Sequence, residues 1–157
     1  MCIALIGDSY YPLRNSCAVQ LRDLAREFQQ QGHKVVVIVP TVNLNKHWTL
    51  ERLDDVQVLR LAAFPTRDFG HFRRTLSEMI LPFAMLFNLR KSPFRKTIWD
   101  AIVWYSPTIF FGPLLWVLKR NSNCRTFLIL RDIFPEWTLD IGFIRKGPVY
   151  YFFKLVA

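Results

Sequence analysis

A chain of 157 residues has room for one domain that buries roughly 70% of the surface its unfolded form exposes, enough for a real core. Hydrophobic residues make up 52% and aromatics 15%, more than an average soluble domain uses, which points to a partner surface or a membrane close by. With 21 basic against 12 acidic residues the formal charge is +9, a field that favours nucleotide phosphates, lipid headgroups or nucleic acid without choosing among them, while three scattered cysteines, Cys2, Cys17 and Cys124, exclude a disulfide framework and read as small core residues of a reducing compartment.

Cys2 to Ile6 is a short apolar run that stops at Gly7-Asp8, as a buried parallel strand does. It lacks a basic leader, so it does not read as a signal peptide. From Leu21 the apolar positions recur as Leu24, Ala25 and Phe28, the steps of one helix face. Asn15 or Ser16 caps the start and Gly32 closes the end in the left-handed conformation. Lys34 to Val39, KVVVIV, supplies a second buried strand. A right-handed crossover then sets the two strands side by side, with the Asp8–Ser16 loop at the carboxyl edge of the sheet, where open α/β sheets bind ligands.

Thr41 to Asp55 is polar and irregular and reads as a surface loop, its Asp54-Asp55 a solvated pair. Val56 to Leu61, VQVLRL, alternates and suits a third strand nearer the edge of the sheet. Residues 64 to 96 are unusual. Arg67, Arg73, Arg74, Arg90, Lys91, Arg95 and Lys96 stand against Asp68 and Glu78, and MILPFAMLFNL between the two basic clusters is too short and too proline-broken to cross a bilayer. Two readings stay open: a core helix with solvated charged ends, or a helical flap whose apolar middle dips into anionic headgroups held by Arg73, Arg74, Arg90, Lys91, Arg95 and Lys96. Nucleic acid is not expected, because no recognised nucleic-acid motif accompanies the basic residues.

Asp100 to Tyr105 is the fourth strand, followed by a helix from Pro107 to Lys119 with proline near its first turn. Ser106-Pro107 and Gly112-Pro113 break the apolar stretch 101–118, so strand and buried helix are expected there rather than a membrane span. Arg125 to Leu130 is the fifth strand and runs into Arg131-Asp132-Ile133-Phe134-Pro135-Glu136-Trp137. Strands alternating with helical patterns predict a Rossmann-like, doubly wound parallel α/β sheet. The chain ends at Ala157 within an apolar segment, GPVYYFFKLVA, and reads as the front part of something larger.

Two loops meet the requirements of a site. The first is Asp8–Ser16, where the free N–H groups and positive dipole end of a helix suit an anion; a plain strand-to-helix connection is the alternative. It lacks the GxGxxG spacing, so no nicotinamide or flavin cofactor is expected. The second is RDIFPEW, where Arg131 and Asp132 face a ligand over the same edge, unless an Arg131–Asp132 or Arg131–Glu136 ion pair merely pins the loop. His33, His47 and His71 lie in different loops without ligand spacing, so no metal is expected.

These residues also carry a resemblance. YYPLRNSCAVQLRDLAREFQQQGHKVVVIVP, together with RDIFPEWTLDIG, resembles the amino-terminal domain of family 4, GT-B-fold, retaining glycosyltransferases, nearest to those that build bacterial O-antigen, capsule or colanic-acid polysaccharide on a lipid carrier. The matching pieces are the Tyr-Pro turn after strand one, a helix ending in GH-x-V-x-V, an SPT segment after strand four and RD-x-[FW]-P-E after strand five, so the likeness covers nearly the whole chain. It implies that residues 1–157 are one acceptor-side Rossmann-like domain, with the basic, aromatic helical segment at about 64–96, of a hexosyltransferase whose carboxyl-terminal donor domain is absent. It further implies a nucleotide-sugar donor, a polyprenyl-diphosphate-linked acceptor, and a peripheral place on the cytoplasmic face of the plasma membrane. Asp132 and Arg131 fall where such enzymes place acceptor or active-site contacts. Pro12, Arg14, Asn15 and Ser16 fall on the donor-phosphate side, where relatives carry glycines and this chain departs from them. By itself the 157-residue chain is expected to be inactive; the alternatives are a truncated, catalytically inactive membrane- or partner-binding module and an unrelated Rossmann-like enzyme.

Overall fold

A computed structural model describes residues 1–65, 71–105, 109–131, 136–142 and 145–156; of the side chains of 71–75, 109, 137, 149 and 156 nothing is said. Its centre is a six-stranded sheet of β1 (Cys2–Ile6), β2 (Lys34–Val42), β3 (Trp48–Leu53), β4 (Val56–Ala63), β5 (Ala101–Tyr105) and β6 (Arg125–Ile129), ordered β3-β4-β2-β1-β5-β6. All pairings are parallel except that of β3 with β4. The Rossmann-like α/β class expected from the sequence is the one observed.

Each face of the sheet has its own core. The alternation of β1 and β2 sends Ile3, Leu5, Val35, Val37 and Val39 to one side, where α1 (Ser16–Gln30) lays down Cys17, Leu21 and Ala25. Ala4, Ile6, Val36 and Ile38 point to the other side. They meet α2 (His71–Arg90) through Leu81, Met85 and Leu89, and α3 (Gly112–Ser122) through Leu114, Leu115 and Leu118. Two shorter helices, α4 (Glu136–Asp140) and α5 (Pro148–Val156), follow β6. Among the described residues no helix is long and apolar enough to cross a membrane.

Helix α1 keeps both predicted ends. Asn15, rather than Ser16, is the cap, its side chain accepting from the Ala18 N–H at 2.9 Å. Gly32 sits at φ +81° just past the end. The His33 N–H reaches the Phe28 carbonyl at 3.0 Å and the Gly32 N–H that of Gln29 at 2.9 Å, the paired closure that a left-handed residue permits.

Three expectations need correction. Residues 41–55 are not a loop throughout: β2 runs on to Val42, and Trp48–Leu53 forms an antiparallel edge strand hairpinned to β4. The hairpin closes through Asp54 and Asp55 at φ 50° and 66°, two consecutive left-handed residues, the turn whose twist matches that of paired strands. Aspartate tolerates that region better than most side chains. Arg26 pairs with Asp54 at 3.1 Å and Gln29 donates to the Asp55 carbonyl at 2.7 Å, tying the turn to α1. Second, α3 begins at Gly112, so Pro113 rather than Pro107 occupies its first turn; Ser106-Pro107-Thr108 lies outside the described residues. Third, His71 is not in a loop but opens α2.

Within segment 64–96, α2 carries one buried and one exposed apolar stripe. Leu81, Met85 and Leu89, spaced by four, are buried against β4 and α3. Leu76, Ile80, Phe83 and Phe87, spaced by four, three and four, are exposed, the last two at 58% and 55%. Arg90, Lys91, Arg95 and Lys96 are exposed at the end of that stripe. Arg73 and Arg74 open the helix with side chains outside the description, and residues 66–70, Arg67 included, lie wholly outside it.

Candidate functional site

From β1 the chain moves outward to β2 and β4, then returns across β1 to β5 and β6. The reversal between β1 and β5 is a switch point, the place where connections diverge and leave a crevice at the carboxyl ends of the strands. The loop after β1 opens onto it. Because β1, β5 and β6 run parallel, the exit of β6 at Leu130-Arg131 lies on the same rim, two strand spacings or about 10 Å away. Arg131 is exposed there. Asp132, with 133–135, lies outside the described residues.

The first loop is built from its own hydrogen bonds. Gly7 N–H reaches back to the Ile38 carbonyl at 3.4 Å, and the Leu13 N–H turns onto the Tyr10 carbonyl at 3.1 Å. Asn15 Oδ1 accepts both the Ala18 N–H and the Ser9 hydroxyl, each at 2.9 Å, and Ser9 Oγ stands 2.9 Å from Asp8 Oδ1. Asn15 therefore serves the loop and the helix together. Pro12, Arg14 and Ser16 are exposed beside it. Of the four N–H groups at a helix start that find no partner within the helix, Ala18's is taken by Asn15. The remaining positive dipole end of α1 and the exposed Arg14 lie on this rim.

The lone glycine of the loop has a packing role. A Cβ at Gly7 would stand 2.4 Å from Leu21 Cδ1 and 2.9 Å from Cys17 Sγ. It lets α1 settle onto the end of β1.

Sequence reasoning missed the side chains that brace the loop from outside. Arg60 of β4 donates through Nε to Glu51 of β3 at 2.8 Å and through Nη2 to the Tyr11 carbonyl at 2.6 Å. On the opposite face, Asn88 is buried and its amide donates to the Ala62 carbonyl at 2.8 Å. His47 Nδ1 lies 3.0 Å from Asn88 Oδ1, and Lys91 Nζ lies 2.9 Å from His47 Nε2. With Oδ1 fixed as acceptor by the amide's orientation, His47 donates from Nδ1 and accepts from Lys91 at Nε2. Glu136 of the RDIFPE stretch meets Lys154 at 3.4 Å and the Tyr150 hydroxyl at 3.4 Å, so it fastens α4 to α5.

Burial governs the titration of two groups under the rim. It pushes the Cys17 thiol from 9.0 up to about 12, with Asp8 adding to the effect, and the Tyr10 phenol from 10.0 up to about 12. Both keep their proton in the folded chain after the unfolded chain has lost it, so stability falls as pH rises from about 9 toward 12. The unfolding free energy from urea melts should drop between pH 8 and 10.5, by about 1–2 kcal/mol for these groups, and the drop should be smaller in Cys17→Ala. An equal slope in both proteins would remove Cys17 as a source.

No family model matches the chain, and no curated protein does. Solved structures share its fold. The catalytic domain of starch synthase IV from Arabidopsis thaliana, bound to ADP and acarbose, matches with a TM-score of 0.57 and 16% identity over 80% of this chain and 33% of that one. The C-terminal domain of a Pyrococcus furiosus hydrogenase matches with a TM-score of 0.51 and 14% identity over 82% of this chain and 90% of that one. An E. coli trehalose-6-phosphate synthase bound with UDP-2-fluoro glucose matches with a TM-score of 0.59 and 10% identity over 98% of this chain and 37% of that one. The chain thus spans about a third of the length of the starch synthase domain and of the trehalose-6-phosphate synthase, at 33% and 37%. At these identities the likeness is one of fold: a Rossmann-like α/β layer of the kind found in GT-B glycosyltransferases.

Proposed function

We propose that this chain is the acceptor-side, amino-terminal half of a family 4, retaining GT-B glycosyltransferase. It transfers a sugar from a nucleotide sugar to a saccharide carried on polyprenyl diphosphate, at the cytoplasmic face of the plasma membrane, in the synthesis of O-antigen-type or capsule-type polysaccharide. The observation that carries this reading is the shared rim: the loop after β1 and the exit of β6 leave one carboxyl edge on either side of β5. On that rim Pro12, Arg14, Asn15 and Ser16 face the donor diphosphate, whose growing charge the α1 start and the Arg14 guanidinium offset. Arg131 and Asp132 face the reacting ends of donor and acceptor. The donor sugar and base belong to a second domain, so the 157 residues alone turn over nothing.

Helix α2 supplies the membrane side. Its exposed stripe of Leu76, Ile80, Phe83 and Phe87 enters the headgroup region, and Arg73, Arg74, Arg90, Lys91, Arg95 and Lys96 hold anionic lipid at roughly 1 kcal/mol each. A non-catalytic membrane- or partner-binding module is the second reading, favoured by the same stripe and by β6, whose Phe127 and Leu128 are exposed on an edge strand.

The test is a transfer assay with the native polypeptide in membranes, a polyprenyl-diphosphate-linked acceptor and a panel of nucleotide sugars. One donor is expected to be consumed, and Asp132→Ala is expected to slow that transfer about ten-fold or more, the low end of what a positioned carboxyl contributes. Transfer at the wild-type rate would remove Asp132 from the site. No transfer from any donor, with membrane binding intact, would favour the second reading.

A further inference from the structure

Arg60 lies in β4, two strands away from β1, opposite Val39 in the register with β2. A strand arginine on the α1 face of this sheet, in line with buried Val56 and Val58, has no place in the core. It is largely covered all the same, its side chain 13% exposed. Two bonds explain this. Nε donates to Glu51 Oε2 at 2.8 Å, which fixes the plane of the guanidinium against the β3 hairpin, and Nη2 donates to the Tyr11 carbonyl at 2.6 Å. The guanidinium therefore reaches from β4 past β2 and grips the loop after β1 at the residue before Pro12. Tyr11 and Tyr10 frame the turn that the Leu13 N–H closes on the Tyr10 carbonyl, and Asn15 caps α1 four residues beyond Tyr11. That loop is thus held at the helix cap and, at Tyr11, by Arg60.

We propose that Arg60, oriented by Glu51, is a positioning residue for the 12–16 loop: it touches no ligand, and it sets the backbone and the Arg14 side chain in the arrangement that receives a diphosphate. The inference rests on the reading of that loop as the donor-phosphate side. The loop's own bonds, Leu13 N–H to the Tyr10 carbonyl and Ser9 to Asn15, leave the Tyr11 carbonyl to Arg60, and a loop less firmly held there would have to be ordered on binding, which opposes it. The hairpin is in turn tied to α1 through Asp54 and Arg26, so Glu51 is a fixed anchor rather than a mobile one.

The experiment uses the full chain and inorganic pyrophosphate, with amide exchange and affinity both followed by NMR. In Arg60→Met, loss of the bond to Tyr11 should speed exchange of the Leu13 amide about ten-fold and raise the pyrophosphate dissociation constant about ten-fold, while the Val58 and Leu59 amides of β4 keep wild-type protection. A merely structural role would loosen β4 and leave Leu13 alone. Arg60→Lys, which keeps a donor for the Tyr11 carbonyl, should recover much of both losses. Wild-type exchange at Leu13 in Arg60→Met overturns the proposal, as does a β4 that loosens along with the loop. Absence of pyrophosphate binding by the wild-type chain defeats the phosphate reading instead, and Leu13 exchange then decides Arg60 by itself. Should Arg60→Met not fold, Glu51→Gln replaces it, with the same direction and a smaller change at Leu13 expected; no change there overturns the proposal.

Discussion

Replacing Phe83 and Phe87 together with aspartate should weaken binding to phosphatidylglycerol vesicles by about 100-fold or more and leave the melting temperature where it was. Both rings stand on the outward side of α2, more than half exposed, so the fold loses little when they go. A membrane would lose much more. Each ring withdrawn from the headgroup boundary forfeits about 1.5 kcal/mol at least, two make about 3 kcal/mol, and each tenfold in affinity is about 1.4 kcal/mol. The added carboxylates meet anionic lipid and push the same way. Cosedimentation with vesicles of graded phosphatidylglycerol content measures it. Unchanged binding would mean that the stripe does not enter the bilayer and that basic residues alone, or nothing, hold the chain there. By contrast Met85, fully buried on the inward side, should cost about 2–5 kcal/mol of stability when cut to alanine, which separates the two faces of one helix by experiment.

The second large effect is expected at the smallest side chain of the candidate site. Gly7→Ala places a methyl 2.4 Å from Leu21 Cδ1 and 2.9 Å from Cys17 Sγ. Both residues are buried under α1, where dense packing leaves them little room to retreat. The helix must lift off the sheet or Leu21 must leave its rotamer, at a cost of about 2 kcal/mol. Because one atom pair is to blame, the cost should shrink when Leu21 is already alanine, and a double-mutant cycle in urea reads that coupling directly. Additive losses would show that the strain lies elsewhere. Since α1 carries the Asn15 cap, a lifted helix would also spread the loop.

What the sequence made legible follows from how local each signal is. Strands β1 and β2 are continuous apolar runs and α1 has a clean period with a polar cap at one end and Gly32 at the other, so each could be read within a window of a dozen residues. Strand β3 was hidden because WTLERL is half exposed along its length and its turn uses Asp54-Asp55, where Asn-Gly would have announced a hairpin. The start of α3 was misplaced because Pro107 and Pro113 satisfy the same rule for a first turn, and only the tertiary structure chooses Pro113. Helix α2 gave two readings because it has two apolar stripes, and composition does not say which one faces the sheet. Arg60 was beyond reach altogether: a charged residue in VQVLRL shows an outward position, but its partner Tyr11 is 49 residues away. Long-range hydrogen bonds leave no trace in a window. The Arg131-Asp132 pair is read from its place at the end of a strand; Arg131 follows β6, and Asp132 lies outside the described residues.

The claim everything else depends on is that the segment after β1 and the segment after β6 form one half of a single cleft. Hydrogen–deuterium exchange of the native polypeptide, with and without a saturating nucleotide sugar, tests this most directly. Peptides covering 9–17 and 130–136 should gain protection together, at the same ligand concentration. Protection of one without the other, or of neither while the ligand is bound elsewhere, would contradict the account.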